Sequence, residues 1–194
     1  QMEVKLKAMS RAGNKKILLD LRDVAAGDMD EATRLANFFL KSGTIAMLEG
    51  QKVEKQTFVA DASKTINATA PLVVLVNRGT AGPGELVAGA LLDNKRGELV
   101  GEKTFGEGAQ QKTFELPDGA ALILSVAKYE SPSGKKLQDD AVTPEVLVAS
   151  NTDDGLDDDD TTPTASQPAA PVKPSVSVDE QLTKALDILK SKAA

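Results

Sequence analysis

The sequence predicts an α/β fold, in which a mixed β-sheet is covered by packed helices. The run LVVLV at Leu72–Val76 follows Pro71 and contains no polar residue, as is typical of a central strand buried on both faces. The glycine-rich segment Gly79–Glu85 and an apolar helical pattern follow it directly. A strand, a turn and a packed helix form a basic unit of α/β folds.

The segments before this strand carry their own start and stop signals. Asp28 with Glu31 three residues later forms a capping-box pattern, and Gly43 is a natural helix end. The apolar side chains on one face of that helix are Ala32, Leu35, Phe38 and Phe39. The other elements predicted here are a helix at residues 2–12, a buried strand at 15–21, and short strands near 44–48 and 56–59.

The segments after the central strand are also predicted to alternate between helices and strands. Leu86, Val87, Ala90 and Leu91 recur at helical spacing, which predicts that this helix buries one face. The turn sequence Pro117-Asp118-Gly119 predicts a hairpin. The remaining predicted elements are a strand near Leu99, hairpin strands at 110–116 and 121–128, and a turn at 131–134.

Composition divides the chain into three regions. Residues 1–150 have the apolar periodicity of one core domain. Residues 151–176 are rich in Asp, Thr, Pro, Ala and Ser, which predicts a disordered acidic linker. Residues 177–194 predict an amphipathic C-terminal helix that docks on the core, capped by Ser177 and Glu180. Its apolar positions are Leu182, Leu186 and Leu189.

The residue types that are missing exclude several classes of function. The 194 residues include no Cys and no His, which excludes the usual zinc sites, thiol nucleophiles and histidine-based triads. Aromatic residues are 3% of the chain, so single-stranded nucleic acid is not an expected ligand. No run approaches the ~18 apolar residues of a membrane-spanning helix. Any catalysis must use Lys, Asp, Glu, Ser, Thr or Tyr.

Two segments resemble ligand sites only superficially. The segment Gly101–Gly108 has Gly106-Glu107-Gly108 where a phosphate-binding loop needs a lysine, and it lacks the third glycine of a dinucleotide fingerprint. The acidic run Asp153–Asp160 lacks the ligand order and glycine of a calcium loop. The sequence therefore predicts neither a cofactor nor a metal.

The turn Gly79–Glu85 is the strongest candidate for a functional site. A glycine-rich turn after a central strand commonly presents a nucleophile and backbone N–H donors at the mouth of an α/β sheet. Alternatively, the three glycines only permit a tight turn and close packing. These residues alone leave both interpretations open.

Five segments together resemble the carboxyl-terminal processing proteases, also called tail-specific proteases. The resemblance covers about residues 2–150, and the final helix DEQLTKALDILK also looks like the end of that family's catalytic domain. The five segments are DLRDVAAGDMDEA (20–32), PLVVLVNRGTAGPGELVAGALLDN (71–94), LVGEKTFGEGAQQ (99–111), LPDGAALILSVAKYESPSGKKLQ (116–138) and VTPEV (142–146).

The resemblance implies a crotonase-like and ClpP-like core and a serine endopeptidase with a Ser/Lys pair. In the family the nucleophile lies three residues before a glutamate, and Gly82 occupies that position here. The family's lysine base lies in Thr-Phe-Gly-Lys-Gly, where this chain has Glu107. Both catalytic side chains are thus expected to be absent, which suggests an inactive member.

The same resemblance assigns the remaining site positions. Pro83 stands where the residue after the nucleophile lends its N–H to the oxyanion hole, and proline has none. Gly27 ends the altered turn that supplies the other oxyanion donor. Gln111 matches the glutamine that orients the lysine and is kept, as is Glu85. Peptide contacts are expected at Thr80, Ala81 and Glu85.

Three functions follow as hypotheses. The first is a catalytically inactive scaffold that binds protein or peptide C-terminal segments. The second is an active serine-type endopeptidase with a displaced mechanism, using Thr80 with Lys103, or Glu107 with a water. The third is a structural module of a longer chain whose N-terminal part and PDZ domain are missing here. The resemblance also suggests a periplasmic or cell-envelope location and a possible homo-oligomer.

Overall fold

The computed structural model describes residues 1–150 and 178–192, which form an α/β fold as predicted. The helices and strands are, in chain order, α1 (Met2–Arg11), β1 (Ile17–Asp20), α2 (Met29–Asn37), β2 (Thr44–Gly50), β3 (Val53–Val59), β4 (Leu72–Val76), α3 (Pro83–Asp93), β5 (Glu98–Gly101), β6 (Ala109–Glu115), β7 (Ala121–Glu130), α4 (Leu137–Asp140), β8 (Val146–Leu147) and α5 (Glu180–Ser191), with a 3₁₀ turn at Ala62–Lys64.

The strands form two four-stranded sheets, one parallel and one antiparallel. The parallel sheet has the order β1-β4-β5-β8 and the antiparallel sheet has the order β3-β2-β7-β6. Both kinds of pairing expected of a mixed α/β core are present, but they are divided between two sheets. All five residues of β4 are buried, because β4 is an interior strand covered on both faces.

Helix α3 lies at the centre of the main hydrophobic core. Leu86, Val87, Ala90 and Leu91, the predicted inward face, are each at most 1% exposed. They join side chains of α2, β1, β2 and β4 in one buried cluster. Since α3 starts at the turn that follows β4, this packing fixes the position of that turn.

Helix α2 starts as predicted but ends earlier than Gly43. The Asp28 carboxylate accepts hydrogen bonds from the N–H groups of Asp30 at 2.6 Å and Glu31 at 3.3 Å. The helix ends at Asn37 because the Asn37 side chain binds both the N–H and the carbonyl of Asp61. The predicted apolar face is kept, since Phe39 is fully buried just beyond the helix end.

Helix α5 packs on the outer face of the parallel sheet. Ala185 and Leu189 pack in a buried cluster with Val73, Leu75 and Val100. Polar contacts add to this, since the Lys16 ammonium donates to the Leu189 carbonyl at 2.7 Å and Arg22 forms a 2.8 Å ion pair with Asp179. The last helix therefore docks on the core, as predicted.

Two details of the predicted last helix are wrong. Asp179 is the N-cap of α5, because its carboxylate accepts from the Leu182 N–H at 2.8 Å; Ser177 lies outside the described residues, as does the predicted linker at 151–176. Leu186 is 40% exposed. The buried stripe passes instead through Gln181, Ala185 and Leu189.

We expect Leu189→Ala to lower the free energy of unfolding by about 2–4 kcal/mol, since it removes a buried side chain and leaves a cavity. Leu186→Ala, a control in the same helix, should change it by less than about 1 kcal/mol because the side chain is half exposed. Urea unfolding of both variants measures this difference. Equal effects would mean that α5 is not docked through the Leu189 side.

Candidate active site

The turn after β4 holds Gly82 in an uncommon backbone conformation at the start of α3. Its φ is +50° and its ψ is −111°, a region that side-chain-bearing L-residues rarely adopt. The Thr80 N–H donates to the Asn77 carbonyl at 3.0 Å and the Ala81 N–H donates to the Val24 carbonyl at 2.9 Å, which holds the turn. Sharp, strained strand-to-helix turns expose the nucleophile in α/β hydrolases. This turn has that form without a side chain at its apex.

The three glycines of the turn are there for different reasons. A β-carbon at Gly79 would collide with the Asp23 carboxylate, and one at Gly84 would lie 2.7 Å from the Val24 carbonyl oxygen. A β-carbon at Gly82 would make only ordinary van der Waals contacts, the nearest at 3.8 Å. Close packing therefore explains Gly79 and Gly84, whereas only the backbone conformation favours glycine at position 82.

The buried carboxylate of Glu85 joins this turn to the segment after β5. Its two oxygens accept hydrogen bonds from the hydroxyl of Thr104 and from three N–H groups, those of Gly106 at 2.8 Å, Glu107 at 2.7 Å and Gly82 at 3.1 Å. Burial raises the pKa of Glu85 above the ordinary glutamate value, although these hydrogen bonds oppose the shift. Glu85 thus fixes the Gly82 and Glu107 positions relative to each other.

Pro83 and Gly27 face each other beside the turn. Pro83 is the first residue of α3, where its fixed φ suits the helix and its lack of an N–H breaks no helical hydrogen bond. Gly27 has a φ of +141°, and a β-carbon on it would lie 3.5 Å from the Pro83 ring. The structure therefore brings the two predicted oxyanion positions, Gly27 and Pro83, together.

Glu107 is near the turn through its backbone, whereas its side chain is exposed. The Phe105 N–H donates to the Thr80 carbonyl at 2.9 Å, which holds this segment against the turn. Gln111 is exposed on β6 and pairs with Ser125, next to a bulge in the strand. Within the described residues, no hydrogen bond joins Gln111 to Glu107, so its predicted orienting role has no side-chain partner here.

A groove of about 510 Å³ lies beside Pro83, between α1, α2 and the start of α3. Its size suits a short peptide segment or a small molecule. The apolar side chains in its wall include those of Val24, Leu35, Phe38, Pro83 and Val87. The candidate site thus consists of a vacant turn with an adjoining, partly apolar groove.

A family model for peptidase family S41 matches residues 1–148. The chain belongs to peptidase family S41. Over 128 residues it is 41% identical to carboxyl-terminal-processing peptidase 2, chloroplastic, of Arabidopsis thaliana, covering 66% of the chain and 25% of that protein. Over 143 residues it is 38% identical to the carboxyl-terminal-processing protease of Synechocystis sp., covering 74% of the chain and 33% of that protein.

A solved structure of the same family supports the fold of this S41 chain. The photosystem II D1 C-terminal processing protease superposes with a TM-score of 0.72 at 33% identity, covering 76% of this chain and 38% of that one. The chain thus spans between a quarter and two fifths of the length of these relatives. The resemblance to C-terminal processing proteases inferred from the sequence is confirmed.

Several side chains of the turn in this S41 chain are buried. Thr80 is fully buried, and its hydroxyl donates to the Leu21 carbonyl at 2.9 Å while accepting from the Asn77 N–H at 3.0 Å. Ala81 is 3% exposed and Glu85 is fully buried. The side chains of the three predicted peptide-contact residues, Thr80, Ala81 and Glu85, therefore face the protein interior.

Two residues that support the site carry no clear sequence signal. Asn77 accepts from the Asp23 N–H at 3.0 Å and donates to the Asp23 carboxylate at 2.9 Å, which joins the turn before α2 to the turn before α3. The Thr104 hydroxyl donates to Glu85 and accepts from the Val142 N–H at 2.8 Å. Partners this far apart in sequence form no local motif, although asparagine directly after a strand is a turn signal.

Within residues 1–150 and 178–192, no cluster of His, Cys, Asp and Glu has the form of a metal site. None of the helices described there is both long and apolar enough to cross a membrane.

Proposed function

We propose that this S41 domain does not cleave peptides by the family's Ser/Lys route and instead binds protein or peptide segments. The observation that carries the proposal is the apex of the turn after β4. Gly82 has a positive φ at the apex of the strand-to-helix turn but no hydroxyl, and Pro83 beside it has no N–H to donate. A serine peptidase needs both an attacking oxygen and donors for the oxyanion.

The position of Glu107 supports the same conclusion. A lysine acts as general base when burial lowers its pKa. The residue here is an acid, and its side chain is exposed. The attacking group, one oxyanion donor and the base have three separate roles in acyl transfer, so no single compensating group restores the reaction.

Binding is supported by the intact framework around the vacant turn. Glu85, Asn77 and Thr104 still fix the loops by buried hydrogen bonds, and the groove beside Pro83 is open. A rigid, partly apolar groove binds an extended segment at a low entropic cost. We propose the C-terminal segments of other proteins as partners, since the relatives named above are carboxyl-terminal processing peptidases.

The compartment and the assembly state belong to the same proposal. Relatives named as chloroplastic and cyanobacterial processing proteases support an envelope or lumenal location. Self-association stays a prediction.

The proposal is tested on the purified chain by titration and by activity assays. We expect a fluorescein-labelled peptide with the apolar C-terminal sequence Ala-Val-Leu-Ala-Ala to bind saturably, with no cleavage of it and no labelling by a fluorophosphonate probe at pH 5 to 9. Ala26→Trp should weaken binding at least about tenfold, because exposed Ala26 lines the groove. Ala120→Trp, in the β6–β7 turn, is the matched control.

Two results would reject the proposal. Cleavage or probe labelling by the unmodified chain would restore the hypothesis of a displaced catalytic mechanism. Peptide binding that Ala120→Trp reduces as much as Ala26→Trp would place the contact outside the groove.

A further inference from the structure

The hairpin of β6 and β7 projects from the core as a two-stranded arm, residues 111–125. Strand β2 pairs with β7 only at residues 128–130, so within the described residues the strands of the arm pair only with each other. All of residues 111–125 are exposed, including the large side chains of Phe114, Leu122 and Leu124. Because a two-stranded hairpin is only marginally stable in water, a further strand would stabilise the arm.

The free edge of β6 carries a regular set of backbone donors and acceptors. The Leu116 N–H donates to the Ala120 carbonyl at 2.8 Å, and the Tyr129 N–H donates to the Gly108 carbonyl at 2.7 Å. Both ends of the hairpin thus show even-numbered residues of this segment bonded towards β7. Because the bonding direction alternates along a strand, the odd-numbered residues of β6 direct their N–H and carbonyl groups to the free edge.

Strand β6 has few of the features by which edge strands avoid pairing with another chain. It contains seven residues and no proline. The hairpin has a bulge, but its extra residue, Val126, lies on β7 between the partners of Gln110 and Gln111. Strand β6 itself therefore stays regular. Its two charged residues, Lys112 and Glu115, are then the main limit on what can pair with it.

The side chains of β6 favour one register with a second copy of the strand. If Thr113 lies opposite its own copy in an antiparallel pair, Gln111 lies opposite Glu115 and Lys112 lies opposite Phe114. No like charges face each other, and the Lys112 ammonium, already 5.5 Å from the centre of its own Phe114 ring, meets a second ring. A register centred on Lys112 or on Glu115 would oppose like charges, which is destabilising.

We propose that two copies of this chain associate through β6, as antiparallel neighbours related by a two-fold axis at Thr113. The outward backbone groups of Gln111, Thr113 and Glu115 then form about six hydrogen bonds between the copies. The two arms become one four-stranded sheet, in the order β7-β6-β6-β7. No residue of β6 lines the groove beside Pro83, so this interface is independent of the proposed peptide binding.

Sedimentation equilibrium of the purified chain at about 1 to 200 µM tests the proposal. We expect a dimer with a dissociation constant of about 10 µM, as is typical of a small interface. Thr113→Pro should raise this constant at least about thirtyfold, because the lost N–H is counted twice in a symmetric dimer. The hairpin should tolerate this proline, since the Thr113 N–H points away from β7.

Ile123→Pro is the matched control. Ile123 is the partner of Thr113 in the hairpin, and its N–H points to the opposite edge of the arm, that of β7. This variant should keep the dissociation constant of the unmodified chain. Circular dichroism and urea unfolding of the two variants should agree, which would show that loss of the dimer does not come from unfolding of the arm.

Charge changes at one position test the register. Gln111→Lys places a cation opposite Glu115 and should tighten the dimer about fivefold, whereas Gln111→Glu should weaken it about fivefold. Gln110→Lys adds the same charge one residue away, opposite Leu116 in this register, and should change the constant by less than about twofold.

Three results would overturn the proposal. The first is a monomer at every concentration up to about 200 µM, because an interface of this kind associates within that range. The second is equal or greater loss of the dimer in Ile123→Pro, which would place the contact elsewhere. The third is equal tightening by Gln110→Lys and Gln111→Lys, which would indicate only a reduced repulsion between chains of net charge −6.

Discussion

The triple variant Gly82→Ser, Pro83→Ala, Glu107→Lys should cleave an unstructured peptide that the unmodified chain and each single variant leave intact. The serine supplies the attacking oxygen, the lysine supplies a base, and the alanine supplies a backbone N–H at the start of α3. One oxyanion donor is worth about 100- to 1,000-fold in rate. The double variant that keeps Pro83 should therefore be slower by about that factor.

The structure explains why the first of these changes is tolerated. The β-carbon of a serine at position 82 would be 3.8 Å from its nearest neighbour, so there is no steric clash. The backbone there has a positive φ, so the change should cost about 1–3 kcal/mol in conformational strain. The lysine at 107 starts from an exposed position, which keeps the regained rate well below that of a pre-organised enzyme.

A fluorogenic peptide assay gives kcat/KM for each variant. The control Gly82→Ala, Pro83→Ala, Glu107→Lys has the same strain and the same lysine but no nucleophile, so it should be inactive. Equal activity of this control would show that cleavage does not depend on a serine. Activity of the unmodified chain would remove the premise of the experiment.

Glu85→Ala should destabilise the domain by about 3–5 kcal/mol, a large part of the 5–15 kcal/mol that holds most domains folded. The substitution removes a buried carboxylate and leaves the Thr104 hydroxyl and three N–H groups without their acceptor. Each unsatisfied buried donor costs about 1–3 kcal/mol unless water replaces the acceptor. Urea unfolding measures the loss, and Glu115→Ala, on exposed β6, should cost less than about 0.5 kcal/mol.

Glu85→Gln separates the shape of the side chain from its charge. Glu85→Gln should lower the free energy of unfolding less than Glu85→Ala, because one side-chain oxygen still accepts hydrogen bonds. Some loss should remain, because the new NH₂ group faces an N–H donor. Since burial raises the pKa of Glu85, the folded state holds a proton that the unfolded chain releases above about pH 4.5. The stability contributed by Glu85 should fall as pH rises from there through the folded pKa. A stability difference between wild type and Glu85→Gln that is constant from pH 4.5 to 8 would contradict this.

Much of the fold follows from local patterns in the sequence. The run at Leu72–Val76 and the helix after it were predictable because an apolar run after Pro71 and glycine punctuation are local signals. The division of the strands into two sheets was not, because sheet membership depends on pairing between segments far apart, such as β2 with β7. The early end of α2 was also hidden, since it depends on Asn37 binding the distant Asp61.

The sequence positions of the candidate site residues could be predicted, but their contacts could not. Gly82 lies near the Glu107 backbone and Gly27 lies near the Pro83 ring, whereas the catalytic roles that the resemblance assigns to these positions stay predictions. The Thr80 side chain faces inward because its hydroxyl donates to the carbonyl of Leu21, the residue directly after β1. The spacing of residues in the sequence does not reveal this contact.

The positive φ at Gly82 has an evolutionary consequence. A residue with a side chain at this apex is strained, so an ancestor that cleaved peptides there would have kept the strain only while cleavage was selected. Under the proposed function, replacement by glycine after that selection stopped would have relaxed the backbone and made the domain more stable. Loss of the nucleophile would then have been favoured by folding itself, whereas loss of Glu85 would have been opposed by it. The order in which an active site decays can thus be set by the stability of its parts.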